Sequence, residues 1–219
     1  MLERLQTLPI EFLNREAVAL ALAADSLRDI NGLNAEQIGT LIESIKSKEL
    51  SELIERGEIT VAMIRPQAFH NKVGLSDLEM EQTIIAEIQA PLEVAISFAV
   101  VFDEETVDQF YGGAPKERQL KSEPYTHKHF NNRWDEFVAM MKSGPTTVLL
   151  LHSGDGQAIQ HWRKLVGHWN IVDTDQPDTI RGKYGKDNYN NLIHGSDSPE
   201  SVKNELGLIT QQLARTYKL

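Results

Sequence analysis

The stretch Asn190-Asn191-Leu192-Ile193-His194-Gly195-Ser196-Asp197-Ser198-Pro199-Glu200-Ser201 constrains this chain more than any other. The apolar pair suits a strand end, and Gly-Ser-Asp-Ser supplies turn and N-cap chemistry. Pro199 with Glu200 fits a first helical turn, where proline lacks only an N–H that has no intrahelical partner. The pattern demands that a strand stop and a helix begin at once, with His194 at the junction. A helix N-terminus carries unpaired N–H groups and partial positive charge, so phosphate oxygens are favoured there. From these residues alone, a phosphate-handling histidine and an ordinary strand-end histidine bonded to a carbonyl stay equally open.

The rest of the chain narrows the choice. Its 219 residues, 41% hydrophobic and 25% charged, suffice for one buried core with an appended module. A net charge of -10 argues against a surface built for nucleic acid or anionic membrane, although clustered arginines can still bind phosphate. With no cysteine, disulfides and thiolate metal sites or nucleophiles are excluded, and a reducing cytoplasm is the expected compartment. The apolar run Ala17–Ala24 is too short to span a bilayer, and its acidic flank with Glu3, Glu11 and Glu16 does not suit a signal peptide.

Hydrophobic periodicity and breakers predict helices over 16–28, 35–46 and 49–56, an N-terminal segment closed by Gly57. Its stripe of Leu41, Ile42, Ile45, Leu50, Leu53 and Ile54 is expected to pack on the main domain or on a partner subunit. The domain boundary is therefore set at 1–57 and 58–219. Beyond it, strands are predicted at 59–64, 93–102 and 146–151, and a fourth ends at His194. Helices are predicted at 76–89, from 103, and at 125–142, 157–166, 199–206 and 211–217. Residues 112–124 read as a surface loop or lid, and 168–190 as a long polar excursion containing Thr179-Ile180-Arg181-Gly182. This order suggests a split βαβ sandwich with helices over one sheet face. Arg65 at a strand end, Arg163 on a helix, Arg181 in the excursion and Asn191 before the histidine are the candidate site residues. Each alone is surface charge by default, so a site requires their convergence.

Over about Ile59 to Leu208 the chain resembles nucleoside diphosphate kinases. The string Asn191-Leu192-Ile193-His194-Gly195-Ser196-Asp197-Ser198 looks like that family's active-site motif. Ile64-Arg65-Pro66, Ser143-Gly144-Pro145, Trp162-Arg163 to Gly167, and Thr179-Ile180-Arg181-Gly182 follow in the family's order. The resemblance implies an α+β, ferredoxin-like split βαβ sandwich, a four-stranded antiparallel sheet covered by helices, here with an added helical N-terminal segment. It also implies ping-pong transfer of the γ-phosphoryl group of a nucleoside triphosphate to a nucleoside diphosphate through phosphorylated His194. A neutral imidazole is a good nucleophile at neutral pH, and positioning with charge neutralisation carries most of such catalysis. By similarity Arg163 and Arg181 hold phosphates, Arg65 contacts the transferred group and sugar, and Asn191 contacts the ribose. Glu205 orients the histidine, Ser196 joins that network, Tyr125 lies near the nucleophile, and Mg²⁺ arrives on the nucleotide phosphates.

Several positions depart from the family. Arg65 replaces the usual lysine, Trp169 a phosphate-binding threonine, Arg133 a base-stacking phenylalanine and Asn188 an apolar neighbour of the base. Arg133 or Trp169 is expected to supply stacking instead. The departures motivate an alternative, a nucleotide-binding regulatory or scaffold protein of the same fold with weak or no turnover. His127, His129, His161 and His168 suggest no metal site, since alternating histidines share no helix face and no carboxylate stands at ligand spacing. Single-domain relatives assemble as hexamers or tetramers, so a homo-oligomer is expected.

Overall fold

The computed structural model describes residues 34–66, 72–112, 134–172, 174–188 and 190–219. The expected helix over 16–28, most of the 112–124 loop, Tyr125 and Arg133 lie outside the described residues.

Two helices open the described chain, α1 (Ala35–Ile45) and α2 (Lys48–Glu55). Asn34 caps α1 in a reciprocal pair with Gln37, and Ser47 caps α2, so each helix starts where a side-chain oxygen meets an otherwise orphaned N–H. Then follow β1 (Ile59–Ile64), α3 (Asp77–Glu87), β2 (Glu93–Val100), α4 (Glu104–Val107) and a π-helical turn, Asp108–Gly112. The remainder is α5 (Trp134–Lys142), β3 (Thr146–His152), α6 (Ala158–Val166), α7 (Ile180–Tyr184), β4 (Ile193–Gly195) and α8 (Pro199–Tyr217).

The sheet runs β2-β3-β1-β4 with every neighbouring pair antiparallel, so β3 separates β1 from β2 as a split βαβ unit requires. Sequence order suggested helices on one face, but both faces are covered. All six residues of β1 are buried, which a half-solvated strand cannot be. Val61, Met63, Phe98, Val148 and Leu150 face a core shared with α1, α2, α5 and α8, whereas Ala62, Ile64, Leu149 and Leu151 face α3, α6 and α7. The strand's full apolar run, rather than an alternating one, is the signature of this two-sided burial.

Of the two partners open to the N-terminal stripe, the structure uses the main domain. Ile38, Leu41, Ile42 and Ile45 of α1 and Leu50, Leu53 and Ile54 of α2 join one core with Val202, Leu206, Ile209 and Leu213 of α8. Each such buried aliphatic contributes roughly 1.5–3 kcal/mol relative to exposure. The C-terminal segment is one helix instead of the expected pair: Gly207 faces open space, so it weakens the helix without breaking it while the buried stripe continues.

Candidate active site

The site forms where β1 and β4 end side by side. Met63 pairs with His194, and the Arg65 N–H donates to the Leu192 carbonyl at 2.9 Å. Leu192, fully buried, takes φ 68, and the Ile193 N–H donates to the Asn191 carbonyl at 2.8 Å across it. A left-handed leucine costs of order 1–3 kcal/mol, and this tight turn sends β4 back toward β1 with His194 on the α8 face. On the opposite face the buried indole of Trp162 lies against Gly195, where an added Cβ would stand 2.5 Å from Nε1. Only glycine fits there, and the indole N–H donates to the His194 carbonyl at 3.4 Å.

Glu205, one face of α8, reaches both neighbours. Its Oε1 lies 2.9 Å from His194 Nε2, and its Oε2 accepts the Ser196 hydroxyl at 2.5 Å. An ionised carboxylate only accepts, so the pairing puts the imidazole proton on Nε2 and leaves the Nδ1 lone pair free. Ser196 has one hydroxyl proton, and the 2.5 Å contact takes it in preference to the Val61 carbonyl at 3.4 Å. The π-helical turn walls the ring: Phe110 stands edge-on at 5.3 Å between centroids and Tyr111 at 5.8 Å.

Cations gather beside this imidazole. Arg65 is buried against the Tyr111 and Phe137 rings, which meet edge to face with centroids 4.9 Å apart; its guanidinium carbon is 5.5 Å from each centroid, and its Nη1 donates to Asn191 Oδ1 at 3.0 Å. A planar guanidinium packs on ring faces more readily than a compact ammonium and keeps donors for Asn191, which favours arginine at this position. Arg181, on α7, donates to the Gly167 carbonyl at 2.8 Å and the Ile193 carbonyl at 2.7 Å. Burial, then the charges of Arg65 and Arg163, pull its pKa down to about 9. Three buried polar atoms here, Arg65 Nε, Arg181 Nε and Tyr111 Oη, have no hydrogen-bond partner among the described residues. Burial also raises the Tyr111 phenol above its ordinary range, partly opposed by Arg65. Asp197 is held below the usual carboxylate range, first by the Ser201 hydroxyl, with Arg163 and His194 adding to it.

The structure thus brings together His194, Glu205, Ser196, Arg65, Arg181 and Asn191, with exposed Arg163 close enough for its charge to act on Arg181 and Asp197. Asn191 is engaged at both ends, by Arg65 and by its own amide donating to the Asn188 carbonyl at 3.0 Å. Asn188 is buried and braces the excursion: its Oδ1 accepts from the Ile171 and Val172 N–H groups, and its amide donates to Asn170 Oδ1 at 2.8 Å. Trp169 is 38% exposed beside His168, their centroids 5.6 Å apart. Sequence reasoning passed over Phe110, Tyr111 and Asp197. The adjacent aromatics just before Gly112-Gly113 were the available signal, since such a pair is rarely left exposed at a loop entrance.

Fold and site define a ferredoxin-like α+β protein with a carboxylate-oriented histidine among arginines. Residues 58–213 match the family model described as nucleoside diphosphate kinase, and the chain belongs to that family. A thioredoxin domain-containing protein 3 homolog of Ciona intestinalis is 28% identical over 159 residues, which cover 68% of this chain and 20% of that protein. The nucleoside diphosphate kinase of Nocardia farcinica is 36% identical over 90 residues, 41% of this chain and 63% of its own. The chain therefore spans less than two thirds of these curated relatives. Among solved structures, the nucleoside diphosphate kinase of Encephalitozoon cuniculi superposes with a TM-score of 0.52 at 29% identity, covering 69% of this chain and 87% of that one. The Halobacterium salinarum enzyme, solved in complex with CDP, gives 0.50 at 25% identity, covering 69% and 86%. No helix among the described residues is long and apolar enough to cross a membrane.

Proposed function

We propose that the chain is a nucleoside diphosphate kinase that passes the γ-phosphoryl group of a nucleoside triphosphate to a nucleoside diphosphate through phosphorylated His194. The observation that carries this reading is a free imidazole Nδ1 beside guanidinium Nε–H groups that are buried without partners. Buried donors cost roughly 1–3 kcal/mol when unsatisfied, so a cluster of them calls for an acceptor-rich ligand such as a phosphate tail.

In the first half-reaction Nδ1 attacks the γ-phosphorus, the bond to the β–γ bridging oxygen breaks, and the nucleoside diphosphate leaves with that electron pair. In the second, a terminal oxygen of another nucleoside diphosphate attacks the phosphorus, the P–N bond breaks, and its electrons return to Nδ1. Glu205 favours the positive charge that builds on the ring, and Ser196 fixes the carboxylate. Arg65, Arg163 and Arg181 neutralise phosphate oxygens, and the Tyr111 hydroxyl donates to the group in flight. Tyr125, Arg133, Trp169 and Asn188 remain candidates for a nucleotide-facing role, with Trp169 the exposed ring able to stack on a base. Mg²⁺, when bound, supplies further neutralisation of the phosphate oxygens, and Asp197, ionised near Arg163, is the carboxylate suited to its water shell. A homo-oligomer in the cytoplasm, with 1–57 as an extension of a kinase-like unit at 58–219, belongs to the same proposal.

The second reading is a nucleotide-binding regulatory or scaffold protein with weak turnover. It is favoured by the engagement of Asn191 and Asn188 inside the fold, which leaves fewer groups for ribose and base. Incubation with γ-labelled ATP separates the two. The kinase gives acid-labile, alkali-stable label that a diphosphate chase removes. Absence of label on wild type, or equal label on His194→Ala, defeats it.

A further inference from the structure

Arg181 sits on a helix too short to hold itself. Isolated helices need on the order of 12 residues to be even marginally stable, and α7 has five. Its inner end carries a guanidinium that Arg65 and Arg163 repel. The Gly167 and Ile193 carbonyls hold the guanidinium at its tip, and α3 opposes the push from outside. Glu87, its last residue, accepts the Lys183 ammonium at 3.0 and 2.9 Å and the Tyr184 hydroxyl at 2.8 Å. Lys72 reinforces the same side, its N–H donating to the Tyr184 carbonyl at 3.0 Å and its Nζ donating to the Gly182 carbonyl. Both halves of the Glu87–Lys183 pair are only partly exposed, which limits screening by solvent.

We propose that Glu87 is a positioning residue for nucleotide binding: by tethering Lys183 and Tyr184 it keeps α7 seated, so that Arg181 stays in the site against the repulsion of Arg65 and Arg163. The clamp lies outside the reacting centre and touches no substrate. Its role rests on the kinase reading for its kinetic consequence, but its effect on anion binding does not.

The test uses the full chain with Glu87→Gln, Glu87→Lys, Lys183→Glu and the double exchange Glu87→Lys with Lys183→Glu. Binding of magnesium-ADP is followed by calorimetry, and turnover with ATP and a diphosphate acceptor by initial rates. Glu87→Lys is expected to weaken ADP binding and raise KM roughly tenfold, about the worth of one charge-assisted contact, with kcat within about twofold. The double exchange restores both to within about threefold, which a loss of general stability does not predict. Should Glu87→Lys fail to fold, Glu87→Gln, which keeps the shape and one acceptor, carries the test with a smaller rise in the same direction. Unchanged ADP affinity in the folded variants, or a loss confined to kcat, overturns the clamp. Wild-type protein that binds ADP but takes no label on His194 overturns the kinase reading instead and leaves the clamp to be judged by calorimetry.

Discussion

Around β4, His194 Nε2, Glu205 and Ser196 satisfy one another and leave only the imidazole Nδ1 open, whereas Arg65 and Arg181 each keep a buried Nε–H unpaired among the described residues. On the proposed kinase reading, the half that orients the nucleophile is complete as folded, and the cation half is not. Orientation of an imidazole is a fixed requirement and can be built permanently, whereas neutralising a tail of phosphates requires donors kept for a ligand. On the same reading, the mutual repulsion among the arginines is the cost of holding them ready, which a bound anion would relieve.

Substitutions should divide along that line. His194→Ala is expected to remove the acid-labile label and lower transfer by about 10⁴ or more, since among the described residues no other imidazole stands beside it. Appreciable labelled intermediate in that variant would erase the distinction between the halves. Arg181→Ala is expected to lower nucleotide affinity by about 10–100-fold, in line with lost charge-assisted bonds, and to blunt the rise in melting temperature that pyrophosphate gives wild type. Glu205→Gln, on the complete half, should instead reduce kcat about tenfold or more at nearly unchanged affinity, because it weakens orientation of the ring and leaves the cations alone. A loss falling on affinity in Glu205→Gln would break the comparison.

Two smaller effects probe the seam between the halves. Gly195→Ala drives a Cβ to within 2.5 Å of the Trp162 indole, and thermal unfolding should show about 1–3 kcal/mol of destabilisation, the usual cost of overpacking. Asp197 titrates below its ordinary value of 3.8, chiefly through the Ser201 hydroxyl. A carboxylate depressed on folding stabilises the fold above its unfolded value and loses that contribution as pH falls through the folded one. Asp197→Asn should therefore lower stability modestly at neutral pH and flatten the acid limb of a stability-against-pH curve, so that variant and wild type converge below about pH 4, the region set by carboxylate titration.

Much of the fold was readable from local pattern. The Ile59–Ile64 strand has the bounds its apolar run predicted, and Ser76, Ser198 and Asn34 cap helices where cap residues precede apolar periods. The two-sided covering of the sheet was not foreseen, because strand and helix order does not say which face a crossover returns over. Nor did Gly207 divide the last helix, since a glycine on an open surface is only a modest penalty. At the site, the turn chemistry of Gly195-Ser196-Asp197-Ser198 announced the histidine. The wall formed by Phe110 and Tyr111 escaped notice because the histidine it encloses is more than 80 positions away along the chain, by their numbering. Asn188 and Asn191 illustrate the converse: their place in the motif region was plain, but the partners that occupy their amides were not.

Sequence alone determined that a strand ends at a histidine and a capped helix begins after it, because caps, prolines and glycines act on their immediate neighbours. It also named the arginines. Only the tertiary structure decided that Arg65 packs against two touching rings, that Arg163 lies near enough to act on Arg181, and that Glu205, the expected orienting carboxylate, meets His194 at Nε2. The Arg65 contacts join residues far apart in the chain, and even Glu205, 11 positions from His194, reaches it only through the way α8 packs on β4; packing, not local preference, sets these distances.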